Sequence, residues 1–173
     1  QAHNITLQRT LISECLNDAN HAIQMSQHGY AASINGDIGS FHHNLLAHCA
    51  GRNWSMAGAL KGGGGLTTIG QLDLRNNVVY NWKDRTTDGE IFRVQFVNNY
   101  YKPGPSSTKK VALVIEHYEG AVNPPEYFIT GNMMPGVFGV NDVAKSYELK
   151  ETPPGDYLTK AQLWEPHVAT QTA

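Results

Sequence analysis

The chain has 173 residues, which is enough for one domain with its own hydrophobic core. Its 13 basic and 15 acidic residues almost balance, and no basic run indicates a nucleic-acid partner. No apolar stretch is long enough for a membrane-spanning helix, so a membrane partner is not expected. The 17 glycines and the asparagines at the ends of apolar runs favour short strands and turns over helices.

Five short segments share one pattern along the chain. Each has an apolar residue, two mostly polar residues, a small amide or hydroxyl side chain and then two apolar residues. The segments are 7–12, 41–46, 74–79, 96–101 and 129–134, with Thr10, Asn44, Asn77, Asn99 and Asn132 at the shared polar position. A repeat of 34, 33, 22 and 33 residues without helical periodicity is typical of stacked parallel strands.

The repeat predicts which residues lie side by side on neighbouring coils. Residues that recur at one place in every coil stack about 4.8 Å apart, and a column of asparagine amides can hydrogen-bond along the stack. The predicted apolar columns are Leu7, Phe41, Leu74, Phe96 and Ile129, and then Leu11, Leu45, Val78, Tyr100 and Met133. The predicted fold is therefore all-β, a right-handed parallel β-helix or solenoid. The alternative is an antiparallel sandwich with asparagine turns.

The intervals exceed a minimal coil, so the surplus residues are expected to leave the stack as long loops on one side. The candidates are 17–36, 51–65, 84–90 and 103–110. Insertions of this kind usually build the site in solenoids. We therefore divide the chain into β-helix coils over 1–141 and an irregular capping tail over 142–173. A short helix is expected at 157–163.

The two cysteines test this register. Cys15 and Cys49 are separated by 34 residues, as are Thr10 and Asn44, so they should lie side by side. Adjacent coils bring Cα atoms within the range that a disulfide requires. A bridge would imply an oxidising, extracellular setting, and the alternative is a pair of buried thiols.

Four polar residues are expected to gather on two neighbouring coils. The register aligns Glu14 with His48 and Asp18 with Arg52. Two carboxylates four residues apart can share a hard cation such as calcium, and the arginine would face the anion that the metal holds. The alternative is that both acids are solvated loop residues. A zinc site is disfavoured, since adjacent strand residues such as His42 and His43 point to opposite faces.

Three motifs in consistent order resemble those of the family 1 pectate lyases. They are SFHHNLLAH at 40–48 with GRN at 51–53, DLRNNVVYNW at 73–82 and VNNYYKPGP at 97–105. The resemblance runs from about residue 4 to residue 105 and is weaker to about 132. It implies a right-handed parallel β-helix and calcium-dependent β-elimination of polygalacturonate.

The resemblance also implies roles for individual residues. Arg52 matches the catalytic arginine, which removes the proton from C5 of galacturonate, and Glu14 and Asp18 match paired calcium ligands. Because the pKa of arginine lies above about 12, the resemblance predicts an alkaline activity optimum. Arg85, at the same coil offset as Arg52, and Lys102 are candidates for binding uronate carboxylates.

The chain departs from the family pattern at several positions. Trp54 replaces a usual proline, and Ala57 replaces a second arginine. No lysine occurs in 27–36, where the family has a substrate-binding lysine, so His28 or Tyr30 would take its place. Further calcium-binding acids belong to an earlier coil that this chain lacks. The start of the sequence is neither a signal peptide nor an ordinary start. A truncated or processed protein, or an N-terminal chain that completes the β-helix, is therefore expected.

Three functions remain open. The first is a secreted pectate lyase, or its C-terminal part, that cleaves polygalacturonate. The second is a non-catalytic β-helix that binds acidic polysaccharide or assembles with a partner chain. The third keeps the lyase chemistry and changes the substrate to methylated pectin or another uronate. Glu14 and Asp18 favour the unmethylated, calcium-bridged substrate.

Overall fold

A computed structural model describes residues 2–18, 27–57, 59–62, 65–117, 121–150 and 156–173. These residues form one short helix, α1 (Val143–Ser146), and seventeen strands. No helix among them is long and apolar enough to cross a membrane. In chain order the strands are β1 (Ile5–Gln8), β2 (Leu11–Ser13), β3 (Ser33–Ile34), β4 (Ile38–His42), β5 (Leu45–Ala47), β6 (Ser55–Ala57), β7 (Ala59–Gly62), β8 (Gly65–Thr68), β9 (Gln71–Arg75), β10 (Val78–Tyr80), β11 (Thr87–Glu90), β12 (Arg93–Val97), β13 (Tyr100–Lys102), β14 (Leu113–Glu116), β15 (Ala121–Val122), β16 (Glu126–Thr130) and β17 (Tyr147–Lys150).

Three parallel sheets make up the body of the protein. The first sheet has the order β1-β4-β9-β12-β16, the second β2-β5-β10-β13, and the third β3-β6-β11-β14-β17. The chain passes through the three sheets in this order repeatedly. We call one pass through the three sheets a circuit, and strands that pair belong to neighbouring circuits. In a small fourth sheet β7 pairs with β8 in antiparallel fashion and β15 joins β8 in parallel. The all-β prediction is confirmed, the antiparallel sandwich is wrong, and the parallel sheets are consistent with a β-helix. Three of the predicted loops, 17–36, 51–65 and 84–90, are not loops throughout, because they contain β3, β6 and β11 of the third sheet.

Strand pairing confirms the register of both predicted apolar columns, but Leu11, Leu45 and Val78 of the second column are exposed rather than buried. In the first sheet Leu7 pairs with Phe41, Phe41 with Leu74, Leu74 with Phe96 and Phe96 with Ile129. In the second sheet the pairs run from Leu11 through Leu45 and Val78 to Tyr100, and a bridge continues to Met133. One core cluster joins side chains of all three sheets, including Leu46, Met56, Leu72, Leu74, Val79, Phe96, Leu113 and Ile115.

The asparagine column, which we call the asparagine ladder, consists of Asn44, Asn77, Asn99 and Asn132. All four are buried. The side-chain oxygen of Asn77 accepts from the backbone N and the Nδ2 of Asn44, at 3.1 and 3.0 Å, and the pattern repeats with Asn99 and Asn132. Each preceding residue has a positive φ, which turns the chain from the first sheet into the second. The amides thereby satisfy backbone groups that the turn leaves unpaired.

The tail differs from its prediction. Residues 143–150 are not irregular: they form α1 and then β17, which pairs with β14. No helix forms at 157–163, because the edge of β16 offers backbone partners instead: Tyr127 N donates to Tyr157 O and Thr159 N donates to Tyr127 O. The chain then passes over the outer face of the first sheet, where Leu163 N reaches Gln95 and Thr170 reaches Arg75.

Candidate active site

The turn that carries Arg52 lies between β5 and β6. Its backbone is held on both sides by neighbouring circuits. Gly51 N donates to Gly29 O at 3.3 Å, Ala32 N donates to Arg52 O at 3.1 Å, and Asn53 N donates to Thr86 O at 3.1 Å. Arg52 itself has a φ of 51°, a conformation that persists in non-glycine residues only where surrounding contacts fix it.

The guanidinium of Arg52 lies against Tyr30. Its Cζ is 4.4 Å from the centre of the Tyr30 ring, within cation–π range. Its Nη1 donates to Ser33 Oγ at 3.0 Å. Its Nε is buried and has no hydrogen-bond partner among the described residues. The side chain is therefore fixed but keeps an N–H group unused.

Arg85 lies against the same ring, with its Cζ 5.5 Å from the ring centre of Tyr30. Its Nε donates to Asp88 Oδ2 at 2.7 Å. Burial by itself would lower the pKa of Arg85, but the hydrogen bond and charge of Asp88 and the contact with Tyr30 outweigh burial, so the pKa is raised. Arg52, Tyr30 and Arg85 thus form one group, the Arg–Tyr–Arg cluster, in which two cations flank one aromatic ring.

His28 lies next to this cluster, and Lys102 lies elsewhere. The His28 ring is 5.4 Å from the Tyr30 ring. Lys102 Nζ is 5.6 Å from the ring centre of Tyr80, its register partner in the second sheet. Of the four predicted substrate-binding residues, the structure therefore brings three together near Arg52 and places Lys102 with Tyr80.

A groove of about 450 Å³ adjoins Arg85 on the outer face of the third sheet. Lys150 Nζ donates to Glu116 at 2.7 Å along its wall, and Lys109 pairs there with Glu148. Asp88 Oδ1 is buried without a partner in the described part of the chain. The groove carries charges of both signs, and each of its basic side chains is paired with an acidic one.

The acidic pair is only partly placed as predicted. Glu14 N donates to Ala47 O at 3.2 Å, which aligns Glu14 with His48 as the register requires. Residues 30–32 lie beside Arg52, where the register had predicted Asp18, because Tyr30 pairs with Gly51 and Ala32 N donates to Arg52 O. Both acids are exposed. Within the described ranges, no three His, Cys, Asp or Glu side chains gather as metal ligands. A calcium site at Glu14 and Asp18 stays a prediction.

Cys15 and Cys49 form a disulfide, with their Cα atoms 4.8 Å apart. The register argument is confirmed here, and the alternative of two buried thiols is wrong. The bridge lies at the end of the second sheet, three residues before Arg52. It ties the first circuit to the turn that carries the cluster.

Three contacts of the cluster were not predicted from the sequence. Ser33 binds Arg52, Asp88 binds Arg85, and Thr87 binds the backbone that follows Arg52. Asp88 carried a weak signal, since it follows Arg85 by three residues. Ser33 and Thr87 carried none, because their roles depend on which circuits become neighbours.

The comparisons with known proteins add no family. No model of a known protein family and no curated protein matches the chain. Function must therefore be argued from the cluster and the motifs.

Proposed function

We propose that the chain is a right-handed parallel β-helix of the pectate lyase type. We also propose that it cleaves polygalacturonate by calcium-assisted β-elimination. The observation that carries this proposal is the Arg–Tyr–Arg cluster, in which two guanidinium groups flank one aromatic ring and Arg85 lines a groove. Planar guanidinium groups match carboxylates in shape and charge, so the cluster suits a uronate.

The reaction assigns distinct roles to the two arginines. Arg52 in its neutral form takes the proton from C5, the C4–O4 bond breaks, and a C4=C5 double bond forms while the leaving oxygen gains a proton from water. Arg85 stays charged because Asp88 raises its pKa, and it holds a uronate carboxylate. A neighbouring positive charge also favours the neutral form of Arg52. An alkaline activity optimum follows, because arginine releases its proton only at high pH.

Glu14 and Asp18 would hold the calcium ion. Both present exposed carboxylate oxygens, the donors that calcium prefers, and the two residues follow a strand end of the first circuit. When bound, the cation would neutralise the uronate carboxylate and so make the C5 proton easier to remove. Two carboxylates are few for calcium, which takes six to eight oxygens, so substrate, water or an N-terminal chain would supply the others.

A secreted location is part of the proposal. The Cys15–Cys49 disulfide supports it, since such bridges persist in oxidising compartments. The substrate is an extracellular polysaccharide, which agrees with this setting.

The second candidate is a non-catalytic β-helix that binds acidic polysaccharide, alone or with a partner chain. It is favoured by Trp54 and Ala57, which replace the family's proline and second arginine, and by the small number of calcium ligands. In this case the Arg–Tyr–Arg cluster would bind a uronate without removing a proton.

The deciding experiment follows the ultraviolet absorbance of the unsaturated uronide during incubation with polygalacturonate, with calcium and with chelator. We expect a rise at alkaline pH that chelator abolishes and that Arg52→Lys removes. Arg93→Lys is the matched control, since Arg93 pairs with Glu126 on the first sheet, away from the cluster. No rise with folded wild-type protein would reject the lyase and leave the binding protein, which calorimetry with oligogalacturonate would then detect.

A further inference from the structure

A chain of buried hydroxyl groups ends at the backbone that directly follows Arg52. The carbonyl of Asn53, the next residue, accepts a hydrogen bond from Thr87 Oγ1. The hydroxyl of Tyr101 contacts the same Oγ1, and Trp54 N donates to it at 3.2 Å. Asn53, Thr87 and Tyr101 come from three successive circuits and are all buried.

The proton count gives this chain a direction. A threonine hydroxyl has one proton to donate and two positions that accept. The carbonyl of Asn53 can only accept, so the single proton of Thr87 goes to Asn53 O. The N–H of Trp54 occupies one accepting position of Thr87, so the Tyr101 hydroxyl donates to the other, and the order of donation is Tyr101 to Thr87 to Asn53.

Tyr101, the first donor in this series, stays protonated at alkaline pH. Burial raises the pKa of Tyr101, and the nearby charge of Asp88 raises it further, although the bond to Thr87 opposes them. An ordinary tyrosine would lose its proton near pH 10, in the range where arginine begins to act as a base. Tyr101 remains a donor under the conditions that the reaction needs.

The side chain of Asn53 holds the same residue by two further hydrogen bonds. Its Nδ2 donates to Cys49 O at 3.4 Å and to Arg85 O at 3.1 Å. The residue thus joins the Arg52 turn to the Arg85 turn. With its carbonyl held by Thr87 and its side-chain amide held by the carbonyl of Arg85, Asn53 is fixed directly after Arg52.

We propose that Tyr101 and Thr87 are positioning residues that hold the Arg52 guanidinium in place through the Asn53 carbonyl. They touch no substrate. Their catalytic consequence rests on the proposed lyase function, but the orientation of Arg52 can be measured without it. Misplacing a catalytic group by about 1 Å can reduce a rate by about a hundredfold.

The test compares two buried tyrosines. Tyr101→Phe removes the hydroxyl that contacts Thr87. Tyr127→Phe is the matched control, since Tyr127 is also fully buried and its hydroxyl donates to Gly89 O at 3.4 Å. The direct readout is the NMR resonance of the Arg52 Nε–H group, assigned by its disappearance in Arg52→Lys. We expect this resonance to shift or broaden in Tyr101→Phe and to stay in place in Tyr127→Phe.

The kinetic readout uses the same variants. In Tyr101→Phe we expect kcat to fall about tenfold or more with KM within about twofold, as for a group that acts only in the transition state. Thr87→Ser keeps the hydroxyl and should behave as wild type, whereas Thr87→Ala should behave as Tyr101→Phe. The two Thr87 variants also test the positioning role if Tyr101→Phe does not fold.

Each outcome decides a different claim. An unchanged Arg52 resonance with unchanged kcat in folded Tyr101→Phe would overturn the positioning role. An equal shift in Tyr127→Phe would also overturn it, because the effect would then be general loosening. If wild type has no lyase activity but the resonance shifts selectively, the positioning role stands and the proposed function fails.

Discussion

Two turns of this protein use the same backbone device for different purposes. The turn from the first sheet to the second has positive φ at His43 and Asn76, and the turn before the third sheet has it at Arg52. In the first turn the next side chains are the ladder amides, which are buried and bonded to one another. In the second, the Arg52 side chain lies against an aromatic ring, and its buried Nε has no partner among the described residues. The first turn uses its polar side chains to maintain the fold, whereas the second carries the charged side chain for which we propose a ligand.

The comparison predicts that a ladder substitution affects stability more than any other change discussed. In Asn77→Ala the N–H and Nδ2 of Asn44 lose an acceptor and the carbonyl of Phe41 loses a donor. Each buried group left unpaired costs about 1–3 kcal/mol, so we expect the free energy of unfolding in urea to fall by about 3–5 kcal/mol. Asn35→Ala, at an exposed position, is the control. Equal effects at the two positions would contradict the ladder's role.

The disulfide should have the next largest effect. Replacing both Cys15 and Cys49 with alanine removes a cross-link between residues 34 apart. We expect the free energy of unfolding to fall by about 2–4 kcal/mol. Reductant should destabilise the wild type by a similar amount and leave the double variant unchanged. If reductant does not change the free energy of unfolding of the wild type, the disulfide does not stabilise the fold.

A smaller effect on stability, together with an effect on binding, is expected at Tyr30. Tyr30→Leu removes the ring that both guanidinium groups contact. Cation–π contacts at partly exposed sites contribute about 0.5–1 kcal/mol each, so the free energy of unfolding should fall by at most about 1–2 kcal/mol. Affinity for oligogalacturonate should also fall, because the two guanidinium groups lose the ring that orients them. Calorimetry measures the affinity, and urea unfolding measures the stability. Tyr30→Phe keeps the ring and should retain most of the affinity. Loss of stability without loss of affinity would place Tyr30 among structural residues.

The smallest predicted effect is a pH dependence on the outer face of the first sheet. Burial lowers the pKa of His42 below 6.5, the positive charge of His43 lowers it further, and Asp73 opposes them. The folded-state pKa lies below the unfolded one, so stability is present above pH 6.5 and is lost as pH falls through the folded value.

His42→Gln should flatten this loss in urea unfolding between neutral and mildly acidic pH. The raised pKa of Asp73, caused mainly by burial, works in the opposite sense: its contribution is present below pH 3.8 and is lost as pH rises. A variant with the same pH dependence as wild type would exclude His42 as its source.

Much of the fold could be predicted because the strands recur at regular intervals along the sequence. The spacing of Asn44, Asn77 and Asn99 fixed the register, and the register in turn placed Cys15 beside Cys49 and Glu14 beside His48. It failed for Asp18, because residues 30–32 occupy the expected place. The prediction of an irregular tail also failed for 143–150. A strand forms there because the edge of the third sheet offers a pairing partner, which the local sequence does not show.

The candidate site divides in the same way. The sequence by itself determined the columns and the ladder, since each repeats at a fixed offset along the chain. The resemblance to the family 1 pectate lyases pointed to Arg52, and the offset added Arg85. Only the tertiary structure decided that Tyr30 lies against both arginines, that Ser33 binds Arg52, and that Tyr101 contacts Thr87. The physical reason is that a repeat records neighbours at equal offsets, whereas these contacts join residues at unequal offsets, which loop lengths and side-chain packing bring together.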